Sequence, residues 1–402
     1  MPHGDRAMER SKAYKAIALF GLVSLLGDVV YEGARGVIPS YLAYLGASAL
    51  LVGLISGFSE FIALTLRLVA GILVDLTRSH WKFYVLGYAL IVSIPLIGLS
   101  NALPVVITLI MIERIAKAIR SPARDSLISI ISKGVGSGKA FGLHEALDQA
   151  GAILGPLSMG LILLFTSNNY LLAFSAMFIP YLALMISVLH VYRNYSSLRP
   201  GEDPVSRAGI LPYDREFWLY NISVFLNTIA LIHVSLIVLV SSEEFNPSIA
   251  AMLYTLIQGV DMLSALFAGI MFDRFGRIFL CLPFSISILP SVLTLLGGRM
   301  SLLMAAVFYG LVLGMQESIY RAAISTIVPV QQRGSAYGIF NTFYGVGSLL
   351  SATIFGYFIE MRLLEVGVCF TLVGQLAALV MLVLSTRSKE RIFDDRTSWK
   401  GP

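Results

Sequence analysis

Asp28, Glu32 and Arg35 stand inside the stretch "SLLGDVVYEGARGVIPSYL", flanked on both sides by almost purely apolar sequence. Ionisable groups in such a setting carry protons, hold ions or pair with one another. Spaced four and three residues apart, they lie on one face of a helix, and Ser24 shares that face. At 1.5 Å per residue, Glu32 sits about 6 Å and Arg35 about 10 Å along the axis from Asp28. Two carboxyl groups one turn apart do not ionise together easily, so one is poised to take up a proton near neutral pH. The competing reading is an internal Glu32–Arg35 ion pair with no further role. Arg35 lies near a helix end, where it can also snorkel.

The elements that hold these residues follow from composition. The chain has 402 residues, 57% hydrophobic and 13% charged, against about 25% charged in a soluble domain. It reads as an all-α integral membrane protein embedded in a lipid bilayer. A charged group facing lipid at mid-membrane costs roughly 2.5–3.5 kcal/mol, so the Asp28 face must point into a bundle. A bilayer core of about 30 Å needs about 20 helical residues. That ruler places spans at 15–42, 48–76, 81–100, 103–131, 139–166 and 169–192, a polar stretch at 193–216, then spans at 217–240, 248–272, 277–297, 300–329, 335–359 and 364–386. The expected organisation is a six-helix bundle over 1–192, an interdomain loop over 193–216, and a second bundle with a short tail over 217–402.

Lys and Arg gather on one side: Arg6 to Lys15, Arg78, Lys82, Lys133, Lys139, the central stretch, Arg274, Arg277, Arg333 and the tail. The other side offers only Arg299 and Arg362. Both termini are therefore expected in the cytoplasm of a multi-pass protein of the cell membrane. The N-terminus imitates a signal peptide, but Asp28 and Glu32 interrupt its apolar run and no small-residue cleavage site closes it. The net charge of +5 is scattered over helix ends and does not point to nucleic acid. Cys281 and Cys369 fall near opposite membrane faces, which argues against a disulfide. No Walker loop, H-E-x-x-H, cysteine cluster or G-x-S-x-G is present, so no enzyme chemistry, metal or cofactor is expected.

The chain repeats itself. "GILVDLTR" (71–78) matches "GIMFDRFGR" (269–277), with Asp75 and Asp273 198 positions apart. Arg124 and Arg321 are 197 apart, and "AFGLHEALDQAG" and "AYGIFNTFYGVG" are 196 apart. Three matches at nearly one offset make two parallel halves.

"GIMFDRFGR" resembles the signature loop of the major facilitator superfamily, G-x-x-x-D-R-x-G-R, through Gly269, Asp273, Arg274, Gly276 and Arg277. The earlier copy keeps Gly71 and Asp75 but lacks the second glycine. "GAILGPLSMG" is similar to the fifth-helix antiporter motif through Gly151, Gly155, Pro156 and Gly160, with Met159 where that motif has glycine. "ERIAKAIRSPARDSLI" is similar to the charged fourth helix of several facilitator subfamilies. The resemblance implies alternating access around a central substrate site. It also makes spans one, four, seven and ten cavity-lining. Tyr31, Asn221, Asn227, Thr228, Gln316 and Glu317 are then candidate substrate contacts. Arg114 resembles the span-four arginine of proton antiporters, and a static pair with Glu113 or Glu60 is the alternative for it. The candidates for coupling protons are Asp28, Glu32, Arg114, Glu113, Glu60 and Asp148.

Gly71, Asp75, Arg124, Gly269, Asp273, Arg274, Gly276, Arg277 and Arg321 form the expected conformational latch, with Arg124 pairing Asp75 and Arg321 pairing Asp273. The functional expectation is a proton-coupled exporter of small organic compounds, working as a monomer. A symporter or facilitator importing a polar nutrient is the alternative. A non-transporting sensor of the same fold is a third reading, disfavoured by the short loops.

Overall fold

The computed structural model describes residues 10–132, 135–198, 213–329 and 332–397. Most of the central loop, Arg6, Lys133 and Lys400 lie outside the described residues. No strand occurs among those described. Among the described residues, ten helical stretches are long and apolar enough to cross a membrane, and two details turn ten into twelve. The stretch Pro247–Leu296 has 50 residues, about 75 Å as one straight helix, and the chain turns at Gly276, where φ is +62°. The helix Leu103–Ser132 is long enough at 30 residues but carries Glu113, Arg114, Lys117, Arg120, Arg124 and Asp125. Splitting the first and adding the second gives the twelve spans expected.

Among the spans that depart from simple helices, three bear on the site. Span one is the helix Arg10–Arg35 followed by Ile38–Tyr44, with Pro39 in the first turn of the second piece, where proline's missing N–H costs nothing. Span seven is Arg215–Ile229 and then Val234–Glu244. Its break is buried but satisfied. The Ile232 N–H donates to Ser291 Oγ at 2.8 Å, Ser351 Oγ donates to Leu231 O, and the Ser235 N–H donates to His233 Nδ1 at 3.2 Å. Irregular backbone at membrane depth requires such partners. Span ten, Arg299–Ile327, carries a π-turn at Gln316–Tyr320.

Contacts divide the chain into two units. One holds Met1–Leu45, Ile62–Pro204 and Pro247–Thr255; the other holds Gly46–Phe61, Val205–Asn246 and Leu256–Pro402. The division departs from chain order in two helices. The start of span eight counts with the first unit, and the start of span two with the second.

Within the first unit, spans one and five meet backbone to backbone. A Cβ at Gly151 would lie 2.4 Å from Leu25 O and 2.8 Å from Asp28 Cβ, and one at Gly155 would lie 2.6 Å from Val29 O. Only glycine permits that approach. The antiporter-like motif is therefore the surface on which the acid-bearing helix rests. The second unit uses the same device elsewhere. A Cβ at Gly314 would stand 2.3 Å from Asp261 O, and one at Gly310 2.6 Å from Ile257 O, so span ten rests on span eight.

Candidate functional site

In the first unit, Asp28 and Glu32 are both buried, along with Ser24, Glu113, Arg114, Arg120 and His144. Glu32 is bracketed. Arg35 Nη1 donates to its Oε1 at 3.0 Å, Lys117 Nζ lies 3.7 Å from the same oxygen, and Tyr254 Oη donates to Oε2 at 2.7 Å. The expected Glu32–Arg35 pair is thus present, as one part of a larger arrangement. Charge-assisted donors of this kind hold a carboxylate in its ionised form.

Asp28 has different company. The groups acting on it include the acids Asp148 and Glu32, the cations Lys117 and Arg120, and the Tyr31 side chain as a hydrogen-bond partner. Asp148 lies three residues before Gly151, whose Cα packs on Asp28, so the glycine contact between spans one and five is what sets the two acids near each other.

Span four supplies the cations. Arg114 Nε lies 2.8 Å from Glu113 Oε2, and Arg120 Nη2 3.6 Å from Glu113 Oε1. The static Arg114–Glu113 pair is therefore real, and the field of Arg114 also reaches Glu32. Tyr31 is capped by two of these cations, Lys117 at 4.8 Å and Arg120 at 4.6 Å from its ring centroid. Its polar tip belongs to the ion network, and its ring serves as a cation platform.

One turn before Asp28, Ser24 Oγ lies 2.9 Å from His144 Nε2 and accepts from Arg124 Nη1 at 3.2 Å. Arg124 also lies 3.7 Å from Asp148 and 3.0 Å from Asp125. His144 is thereby tied to the acid-bearing helix itself.

The second unit carries a neutral counterpart. Asn227 donates from Nδ2 to Gln375 Oε1 at 2.7 Å, while its Oδ1 accepts from Gln316 Nε2 at 3.2 Å and Tyr320 Oη at 2.8 Å. Tyr344 Oη donates to Gln316 Oε1 at 3.0 Å. Gln316 and Tyr320 are the two ends of the π-turn, so both ends are fastened to one side chain. Of the other expected cavity residues here, Asn221 donates to Phe217 O at 2.8 Å and Thr228 to Val224 O at 2.8 Å, both within their own helix. Glu317 is exposed. Glu60 belongs to this second unit, where its field and that of Glu317 act on Tyr344.

The latch pairs differ from expectation. Arg124 is taken by Asp125, Asp148 and Ser24, while Asp75, 62% exposed, lies 3.9 Å from His80 Nε2. Among the described residues no ion pair joins Arg321 to Asp273, and both are exposed. A water-exposed carboxylate gains little from an ion pair, whereas the half-buried Asp148 offers Arg124 a shielded partner. Arg277 of the signature loop instead pairs with Glu216, at the start of span seven. A Cβ at Gly71 would lie 3.7 Å from Pro122, one at Gly269 would lie 3.5 Å from Ser318 Oγ, and Arg274 lies over the Phe275 ring.

The two loops share a backbone feature that their sequences hide. Gly276 has φ +62°, and Arg78, 198 positions earlier, has φ +51°. The earlier copy keeps the left-handed turn without the glycine that makes it easy. Sequence reasoning also missed Tyr254 and Gln375. Each stands in a largely apolar stretch, and no local pattern marks either.

Comparison with known proteins accords with this architecture. The sequence profile of the Major Facilitator Superfamily matches residues 19–352 and 220–394. An uncharacterised protein of Mycobacterium tuberculosis strain H37Rv, Rv2265, is 33% identical over 398 residues, covering 94% of this chain and 97% of that protein. An uncharacterised MFS-type transporter of Methanocaldococcus jannaschii, MJ1317, is 27% identical over 368 residues, covering 85% and 88%. Among solved structures, the nucleoside transporter NupG has a TM-score of 0.70 at 14% identity, over 91% of this chain and 98% of that one. The peptide transporter POT in complex with sulfate has a TM-score of 0.73 at 12% identity, over 94% and 95%. The twelve spans, the signature loop and the profile match converge, and the chain belongs to the Major Facilitator Superfamily.

Proposed function

We propose that this transporter is a proton-coupled exporter of small organic compounds, with Asp28 as its proton carrier. The observation that carries the reading is the contrast between its two acids. Glu32 is surrounded by Arg35, Lys117 and Tyr254, whereas Asp28 is buried with Asp148 and Glu32 as the acids nearest to it in effect. In this reading Asp28 is the group that changes its proton, and Glu32 stays charged. The network around them includes six acids (Asp28, Glu32, Glu113, Asp125, Glu145, Asp148) and six bases (Arg35, Arg67, Arg114, Lys117, Arg120, Arg124). Fully ionised it is neutral, and a proton on Asp28 leaves it one charge positive. Membrane-buried charge of that kind biases a two-state element.

Export is favoured by the glycine contact of the antiporter-like segment with the Asp28 helix. Both termini are cytoplasmic in this reading, and 1–192 and 217–402 are the repeated bundles of a monomer in the cell membrane. The latch set keeps its role as a switching element, now with Arg124 anchored to Asp148 and Arg277 to Glu216.

The test uses inverted membrane vesicles holding an imposed pH gradient and an acid-sensing acridine dye. A panel of small organic compounds, first sorted by thermal stabilisation of the purified protein, is added in turn. A compound that is exported dissipates the gradient in wild-type vesicles and leaves it intact with Asp28→Asn. Compounds that stabilise the protein but exchange freely with no effect of the gradient would point instead to facilitated uptake.

A further inference from the structure

Tyr254 donates its hydroxyl to Glu32 across 222 positions of sequence, with both groups buried. The helix segment around it is seated on small residues of spans one and five. A Cβ at Gly36 would meet the Tyr254 ring at 3.1 Å and Pro156 at 3.2 Å, and one at Gly160 would meet Met252 at 3.1 Å and Ser248 O at 3.1 Å. Ser248, Ala250, Ala251 and Leu253 of span eight are buried beside Tyr254. The Tyr254–Glu32 hydrogen bond is the charged contact of this seat, and it lands on the carboxylate that Arg35 and Lys117 keep ionised.

From this geometry we infer that Tyr254 is a positioning residue: its phenol clasps the start of span eight to the ionised Glu32, and this clasp must open for the transporter to change state. The inference rests on the alternating-access reading above. It assigns Glu32 a part different from that of Asp28. Glu32 is the fixed anchor, and Asp28, one turn away, is the group that titrates. A phenol is suited to the task. It gives one directional hydrogen bond to a charge, and its ring packs on Gly36 without leaving a void, so the bond can break while the seat reforms. An apolar residue at position 254 would keep the seat and lose the release point.

The test needs neither substrate nor transport. In a background carrying Cys281→Ser and Cys369→Ser, which removes the two free thiols, Ala251→Cys introduces a reporter at a position that is fully buried in the seat. Its rate of reaction with N-ethylmaleimide in purified protein measures how often the seat opens. Tyr254→Phe should raise that rate about tenfold, as expected for loss of one hydrogen bond to a charged group. Glu32→Gln should also raise it, and the double variant should be no faster than the quicker single one, because both remove the same contact. A second reporter, Ala123→Cys, buried on span four, should keep its rate.

An unchanged rate at Ala251→Cys in Tyr254→Phe overturns the clasp. So does acceleration at both reporters, which would mean a general loss of stability, and so do additive effects of the two substitutions. Failure of the vesicle experiment with the reporter results intact would reject proton-coupled export and leave the clasp standing.

Discussion

The two units solve the burial of polar groups in opposite ways. The first gathers formal charges around Glu113, Glu32 and Arg124. The second gathers amides and phenols around Asn227. A neutral network whose donors and acceptors match has one good arrangement, and it rigidifies the helices it joins. A charged network whose members outnumber any single pairing has several arrangements of similar energy, and one proton changes their ranking. Under the proposed function the difference assigns labour: the first unit holds the group that changes its proton, and the second frames span ten.

Substitutions that remove one partner from each network should separate the two solutions. The largest loss is expected at Glu113. Replacing it with leucine leaves Arg114 and Arg120 without their shared carboxylate, at a cost of about 3–5 kcal/mol, read as a fall in thermal stability or a failure to yield monodisperse protein. Gly155→Ala comes next. Its Cβ would collide with Val29 O and the Gly33 N–H, and overpacking of this kind costs about 3 kcal/mol. Because spans one and five would be forced apart, gradient-driven transport should fall further than stability alone explains. Asn227→Leu in the second unit should cost about 2 kcal/mol by stranding Gln316 and Tyr320, yet leave the dependence of transport on pH unchanged. A shift in that dependence would break the division of labour.

The smallest effects belong to the signature loops. Arg78→Gly should stabilise the protein by about 1 kcal/mol and Gly276→Ala destabilise it by a similar amount, since both positions are left-handed. Equal signs in thermal melts would contradict the shared turn.

The spans were legible because lipid forces apolar length, and their charge asymmetry and internal repeat are written in the order of residues. The acid face was legible for the same reason: Asp28 and Glu32 stand out from an apolar run. The partners of that face were not. Lys117 is one of several cations along span four, and it turns to Glu32, because a helix face is shared by every third or fourth residue and the neighbour decides which one is used. Tyr254 and His144 reach span one from 222 and 120 positions away, distances over which no periodicity speaks. The Arg124–Asp75 expectation failed for a physical reason, since pairing by sequence symmetry ignores that Asp75 is largely exposed and Asp148 is mostly shielded.

Asp28→Asn in proteoliposomes tests the central claim most directly, once the compound panel has yielded a substrate. Accumulation driven by an imposed pH gradient should be abolished, while exchange of labelled for unlabelled substrate across the same membrane should persist, because exchange needs no net proton movement. Full gradient-driven accumulation by Asp28→Asn would make the carboxyl structural and move the proton site to Asp148, Glu113 or Glu60.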